Sequence, residues 1–314
     1  MTRAVVFAYH NVGVRCLSTL LAHDVDVQLV LTHEDDPREQ IWFDSVAQLA
    51  ARNRLRCATP KNPNTPEWLE TIRAIQPDFI FSFYYRHMLK PELLECATHG
   101  AYNMHGSLLP NYRGRVPVNW AIIHGERHTG ATLHQMVTKP DAGAIAAQQA
   151  VPILPDDTAF DVFQKVTVAA ELALDKALPS ILDGSVKLYA QELSQGSYFG
   201  GRKAEDGRID WRQNAAQIHN LIRAVAPPYP GAFTVVQGKT LRVLRSRVPK
   251  GLHARHPTGE TGPCLYWDNH CLRADLLDGS TLEILEIEHD GARLDELSWI
   301  KQFGKSPCGL NHSQ

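Results

Sequence analysis

The 314-residue chain carries 32 basic and 34 acidic side chains for a formal net charge of −2, with 44% hydrophobic and 21% charged residues. This composition supplies a sizeable core and sets disorder aside, and the near-neutral balance excludes the general polyanion attraction of a dedicated nucleic-acid binder. A small anionic ligand would need only a local basic pocket. Six cysteines, at 16, 57, 96, 264, 271 and 308, form no CxxC pair, a pattern of reduced thiols rather than of a disulfide or zinc framework. No apolar run approaches the ~18 residues of a membrane span. The opening Met-Thr-Arg leads straight into Ala4–Ala8, too short for a signal sequence. A cytoplasmic protein without membrane insertion is expected.

In chain order, residues 4–8, 25–31 and 78–83 are short apolar, β-branched or aromatic runs, and helical periodicity fills the intervals over Val14–Leu21, Ile41–Ala51 and Pro66–Ile75. Further strands are expected at 101–105, 131–137 and 144–151. A long helix follows over Thr158–Leu182, with Asp156-Asp157-Thr158 as its cap and Asp183-Gly184 as its stop. Strands alternating with helices predict an α/β domain with a doubly wound, mostly parallel sheet over residues 1–204. The texture then changes. Residues 185–210 are polar and turn-rich, a helix is expected over Ala215–Val225, and short strands are expected near 232–236, 240–248, 262–267, 270–275 and 281–288. Residues 205–314 therefore read as a smaller, mostly-β domain of barrel or sandwich type, for which we take an OB-like barrel.

The first βα turn, Ala8-Tyr9-His10-Asn11-Val12-Gly13, holds one glycine where a dinucleotide fingerprint needs three. A nicotinamide site is thereby disfavoured, while the doubly wound fold stands without it. His124 and His128 lie four apart but lack the H-E-x-x-H order of a zinc site, and Ser107 lacks a nucleophile elbow. No metal is expected.

The chemistry concentrates in Asn103-Met104-His105-Gly106-Ser107-Leu108-Leu109-Pro110 and in Asp141-Ala142-Gly143. On a strand, Asn103 and His105 project from one side. An amide N–H can hold a developing oxyanion, an imidazole can move a proton, and a carboxylate beside it raises the imidazole pKa by favouring its charged form. Acyl transfer to an amine needs these three functions and no Ser, Cys or metal nucleophile. Taken singly, each residue has a structural explanation: a strand-end amide, a half-buried histidine, a turn-forming aspartate. Their combination is what points to a site.

Phe81-Ser82-Phe83-Tyr84-Tyr85-Arg86-His87, Asn103-x-His105-Gly106-Ser107-Leu108-Leu109-Pro110-x-Tyr112-Arg113-Gly114-Arg115-x-Pro117 and Asp141-Ala142-Gly143 resemble the 10-formyltetrahydrofolate-dependent formyltransferase family. The similarity continues in Ile209-Asp210-Trp211 and Ile222–Ala232 and thins out afterwards. Within the family the chain most resembles the formyltransferase domain of the bifunctional UDP-4-amino-4-deoxy-L-arabinose enzymes of lipid A modification, which underlies resistance to cationic antimicrobial peptides. Val5–His10, the acidic Thr32–Pro37 loop and Phe81–His87 carry that likeness.

The resemblance implies that Asn103 stabilises the transition state, His105 donates and accepts the proton, and Asp141 raises the His105 pKa. It implies a 10-formyltetrahydrofolate donor held by His87, Met88, Leu89 and Arg115 and by Val137, Thr138, Lys139, Pro140 and Asp141. Arg115 could equally reach a nucleotide diphosphate. For the sugar nucleotide the candidates are Tyr9, His10, Asn11, Arg223 and Tyr229; Tyr229-Pro230-Gly231 is also readable as a rigid turn.

The chain departs from the bifunctional pattern in having no room for a decarboxylase domain, so a separate decarboxylase chain is expected if one acts with it. Tyr229-Pro230-Gly231 stands where the pattern has Trp-Pro-Gly, and the residues after about 245 have no counterpart in it. Another nucleotide-linked amino sugar, such as a dTDP-3- or 4-amino-deoxyhexose, stays open as the acceptor. Methionyl-tRNA is disfavoured because the loop after the second strand is acidic where tRNA would require basic charge. A folate- or nucleotide-binding module without catalysis is the non-enzymatic alternative.

Overall fold

The computed structural model describes residues 2–37, 39–251, 253–255 and 262–310. Two compact units divide the chain: Met1–Pro117, His128–Pro152 and Phe163–Gly201 form the first, and Val118–Arg127, Ile153–Val162 and Arg202–Gln314 the second.

The secondary structure opens with β1 (Arg3–Ala8), α1 (His10–Ala22), β2 (Asp26–Leu31), α2 (Val46–Arg52), β3 (Cys57–Ala58), α3 (Pro66–Ile75), β4 (Phe79–Phe83), α4 (Pro91–Leu94), β5 (Gly100–His105) and β6 (Arg113–Gly114). Then come α5 (Pro117–Ile123), β7 (His128–Gln135), β8 (Ile145–Pro152), α6 (Ala159–Leu182) and β9 (Tyr198–Phe199). The large sheet has the order β3-β2-β1-β4-β5-β7-β8. Pairings from β3 through β5 are parallel, and β7 and β8 join antiparallel. β1 is central, so Ala4–Ala8 are fully buried, as a strand covered on both faces requires. Alternate residues Phe79, Phe81 and Phe83 stack along one face of β4 at 5.9 and 5.8 Å. The strand order reverses at β1, and the crevice beyond the carboxyl ends of the strands is where such sheets place their ligands.

Several elements differ from the sequence expectation for local reasons. Helix α1 starts at His10 rather than Val14, because the Gly13 N–H closes a turn on the Tyr9 carbonyl at 3.1 Å. His10 and Asn11 thus stand on the first helical turn and not in a loop. Of the helix expected over Ile41–Ala51, only α2 forms; Ser45 caps it by accepting the Gln48 N–H at 3.3 Å. Trp42 and Phe43 pack instead on the His10 ring, with centroids at 4.6 and 3.9 Å. α6 begins where expected: Thr158 N and Oγ1 donate to Asp161 at 2.9 and 2.6 Å, a reciprocal cap.

The second unit contains α7 (Ala215–Ala224), β10 (Ala232–Val236), β11 (Lys239–Arg247), β12 (Cys264–Asp268), β13 (Cys271–Asp275), β14 (Thr281–His289), β15 (Ala292–Arg293), α8 (Glu296–Phe303) and β16 (Cys308–Gly309). Its antiparallel sheet runs β10-β11-β14-β13-β12-β16, with β15 on β14, and curls as half a barrel. Ile218 and Ile222 of α7, Leu241 and Val243 of β11, and Trp299 and Phe303 of α8 meet in one core. Helix α8, capped by Asp295 and Ser298, has no counterpart in the strand reading of this region.

Candidate active site

The side chains that converge come from β5, from the end of β7 and from the β7–β8 connection, all within the first unit. Antiparallel pairing sets Asn103 directly opposite His134 and His105 opposite Thr132, and residues two apart on a strand share a face. The Asn103 Nδ2 lies 3.2 Å from His134 Nε2. Asp141 Oδ1 stands 3.5 Å from both His105 Nδ1 and His134 Nε2. The structure therefore gathers Asn103, His105 and Asp141 and adds His134, which the sequence reading did not single out. Its signal was the alternation Thr132-x-His134 on a strand that must face Asn103-x-His105.

Backbone groups complete the arrangement. His105 Nε2 lies 2.8 Å from the Tyr112 carbonyl; a carbonyl can only accept, so Nε2 carries the proton and Nδ1 is the nitrogen that titrates. Tyr112 and Asp141 adopt left-handed φ values of 57° and 51°, a conformation that costs a non-glycine residue about 1–2 kcal/mol and is retained where surrounding contacts impose it. The chain from Ser107 to Tyr112 is fixed by such contacts. Thr132 Oγ1 donates to the Ser107 carbonyl at 2.6 Å and accepts the Leu109 N–H at 3.1 Å, and Ser107 Oγ donates to the Asn111 carbonyl at 2.6 Å. On the other side, the Gly114 N–H donates to Asp141 Oδ2 at 2.9 Å, and Gln191 Nε2 donates to the carbonyls of Asp141 and Gly143 at 3.0 and 2.7 Å. A Cβ on Gly143 would land on the Gln135 carbonyl oxygen, and at Gly114, with φ of 97°, one would land on that of Phe199. Both glycines are therefore steric requirements of the site.

Burial and Asp141 act on His105 in opposite directions. His105 is buried, and burial pushes its pKa below the ordinary value despite the opposing pull of Asp141 and of the Tyr112 carbonyl. A lowered pKa favours the neutral ring, the form that can act as a base. The carboxylate instead awaits the charge that His105 acquires on taking a proton. Burial alone would raise Asp141, but His105, His134 and the Gly114 N–H together hold its carboxyl down at about 2.

The residues expected to hold a folate lie on the loops beside this cluster. His87 and Met88 are exposed after β4, while Leu89 is buried among core side chains. Asn64, absent from the sequence reading, brackets this turn by donating to the Met88 carbonyl at 2.9 Å and accepting the Lys90 N–H at 2.8 Å. Arg115 is exposed, and its guanidinium lies over Gly201. Val137, Thr138 and Lys139 are exposed on the loop that ends in the half-buried Pro140 and Asp141.

The sugar-nucleotide candidates have other engagements. Tyr9 donates its hydroxyl to Asp35 at 2.8 Å and lies under the Arg86 guanidinium at 4.8 Å. His10 is enclosed by Trp42, Phe43 and Phe163, and burial holds its pKa down at about 3. Asn11 Oδ1 accepts the Asp44 N–H at 2.7 Å. These three residues thus contact Asp35, Trp42, Phe43 and Asp44, and Arg86 pairs with Glu39 at 2.7 and 2.9 Å. In the second unit, Arg223 Nη1 donates to the Leu154 and Asp157 carbonyls at 3.2 and 3.0 Å, and Nε and Nη2 donate to Asn220. Tyr229 packs on the core of that unit with its hydroxyl on Asn119. Among the described residues no group of three or more His, Cys, Asp or Glu could hold a metal ion, and no helix is long and apolar enough to cross a membrane.

A doubly wound sheet that presents an amide, an imidazole and a carboxylate at one strand end has groups that can support transfer through a tetrahedral intermediate. Residues 11–178 match the formyl transferase family model and residues 202–304 match that of the formyl transferase C-terminal domain. The chain belongs to the formyl transferase family and is a formyltransferase.

Among solved structures, it is similar to an N-formyltransferase from Helicobacter canadensis in complex with folinic acid and dTDP-3-aminofucose, with TM-score 0.69, 20% identity, and coverage of 90% of this chain and 99% of that one. WlaRD, a sugar 3N-formyl transferase determined with dTDP and 5-N-formyl-THF, gives 0.68 at 21% identity, covering 93% and 99%. A likely sugar N-formyltransferase from Mycobacterium tuberculosis gives 0.60 at 20%, covering 82% and 99%. At these identities the likeness is one of fold.

Proposed function

We propose that the enzyme transfers the formyl group of 10-formyltetrahydrofolate to the amine of a nucleotide-linked amino sugar. The observation that carries the proposal is the convergence of Asn103, His105 and Asp141 at the end of β5 in a chain of the formyl transferase family. The sugar amine attacks the formyl carbon, and the oxyanion that forms takes an N–H of Asn103. The proton released by the nitrogen goes to His105 Nδ1, where Asp141 pairs with the new imidazolium. That proton then passes to N10 as the carbon–nitrogen bond to tetrahydrofolate breaks. The turns at His87–Leu89 and Val137–Asp141, with Arg115, would hold the folate, and Tyr9, His10 and Asn11 are the candidates to bear on the sugar nucleotide; Arg223 and Tyr229 are engaged within their own unit.

UDP-4-amino-4-deoxy-L-arabinose is the acceptor we put first, on the resemblance of Val5–His10 and of the acidic Thr32–Pro37 loop. A dTDP-linked amino sugar is the second reading, supported by the dTDP ligands of two similar folds. Initiator tRNA is disfavoured by the loop acids, of which Asp35 is bonded to Tyr9. Assaying the purified enzyme with 10-formyltetrahydrofolate and a panel of UDP-, dTDP- and GDP-linked amino sugars decides among them. Formylated UDP-sugar as the main product is expected. Preference for a dTDP-sugar would select the second reading, and formylation of methionyl-tRNA alone would overturn both.

A further inference from the structure

The turn between β4 and α4 is held from outside. At its near end the Arg86 N–H donates to His33 Nε2 at 3.0 Å, and Leu89 is buried in the core. Between them, among the described residues, the N–H groups of His87, Met88 and Leu89 donate to no protein acceptor. A turn without hydrogen bonds of its own keeps its shape only through its attachments.

Asn64 is the attachment at the far end. Its amide has a single workable orientation, because the Met88 carbonyl can only accept from Nδ2 and the Lys90 N–H can only donate to Oδ1. The Asn64 N–H in turn donates to Asn62 Oδ1 at 3.0 Å. Asn64 directly precedes Thr65, the cap of α3, and Lys90 caps α4. One side chain thus ties the turn to the start of both helices.

We infer that Asn64 is a positioning residue for the formyl donor: its amide holds the His87–Leu89 turn in the shape that offers free backbone N–H groups to the folate. The inference rests on the folate reading of this turn. Asn64 acts through the turn and not on the reacting atoms. Without its amide the turn samples other shapes, and the apparent affinity for folate falls in proportion to the time spent in them. Asn103, His105 and Asp141 are left as they are, so kcat at saturation and KM for the sugar nucleotide hold.

The test compares the wild type with Asn64→Ala and with the isosteric Asn64→Asp, which sets an oxygen against the Met88 carbonyl. Each is measured for melting temperature, for calorimetric binding of 5-formyltetrahydrofolate, and for kcat and both KM values with 10-formyltetrahydrofolate and the amino sugar the wild type turns over best. In both variants KM for the donor and Kd for the probe should rise about 10-fold, with kcat and KM for the sugar nucleotide within about two-fold. A donor KM within about two-fold of wild type in Asn64→Asp, or an equal rise in both KM values, would overturn the inference. Should the alanine variant not fold, the isosteric one carries the same comparison. Amide hydrogen exchange of the wild type, with and without 5-formyltetrahydrofolate, tests the underlying reading separately. Slower exchange at His87–Leu89 is expected on binding; unchanged exchange there would refute the folate reading of the turn itself.

Discussion

Replacing Asp141 by asparagine isolates the charge of the site from its shape. Asp141 Oδ1 stands 3.5 Å from His105 Nδ1, and a full unit-charge pair at that distance is worth about 5 kcal/mol at an effective dielectric of about 20. If the proton is half transferred in the transition state, about 2–3 kcal/mol of stabilisation is lost, or about 10²-fold in kcat. An asparagine oriented to keep the Gly114 hydrogen bond, which measures 2.9 Å in the wild type, turns its NH2 toward His105 Nδ1. It would occupy the lone pair that takes the proton, so the loss should reach about 10²- to 10³-fold. KM should stay within a few-fold.

The pH dependence has a defined sign. His105 must be neutral to act as a base, so activity falls as pH drops through its pKa, which burial places below the ordinary 6.5. Asp141 pulls that pKa upward, so its removal moves the acidic limb to lower pH. Stability follows the same carboxylate. With a folded pKa of about 2 against 3.8, Asp141 stabilises the native state fully above pH ~4, and the contribution is lost as pH falls through about 2. It amounts to about 2 kcal/mol, which the asparagine variant should lack in acid unfolding. The assay is a pH–rate profile of kcat, paired with urea melts at pH 3 and 7. A variant within about five-fold of wild-type kcat, or a limb displaced upward, would refute the assignment of Asp141.

Gly143→Ala should cost about 1–3 kcal/mol of stability and most of kcat, because its Cβ meets the Gln135 carbonyl oxygen two residues from Asp141; a thermal melt and a kcat measurement check both. Arg223→Ala should lower the melting temperature, by a loss of about 2–4 kcal/mol, with KM for the sugar nucleotide unchanged. Its donors are committed to Leu154, Asp157 and Asn220. A raised KM with normal melting would make Arg223 a substrate ligand instead.

What was legible in the sequence was whatever writes itself as side-chain periodicity or side-chain chemistry. Ala4–Ala8 read as a buried strand because every residue is apolar, and Asn103-x-His105 read as one face because strands repeat every two residues. The helix expected over Ile41–Ala51 failed for a tertiary reason. Trp42 and Phe43 belong to the apolar run that suggested a helix, yet both pack on the His10 ring, and the helix begins only after the Ser45 cap. Helix α8 was hidden because eight residues bearing only Trp299 and Phe303 as buried side chains carry too weak a period against the surrounding strands.

The site was half legible for a different reason. Asn103, His105 and Asp141 declare their chemistry by residue type, but what selects their working states is backbone. The Tyr112 carbonyl decides which nitrogen of His105 titrates, and the Gly114 N–H steadies the Asp141 charge. Any residue type supplies those groups, so sequence letters do not mark them. What the letters do mark is the means of placing them: Gly114 and Gly143 where a side chain would strike a carbonyl, and Thr132 and Ser107 where a hydroxyl must tie the intervening chain down. The burial that favours the neutral His105 ring follows from the same tight loop. Loosening that loop should therefore move the His105 pKa up toward its ordinary value and weaken the Asp141 contact at once.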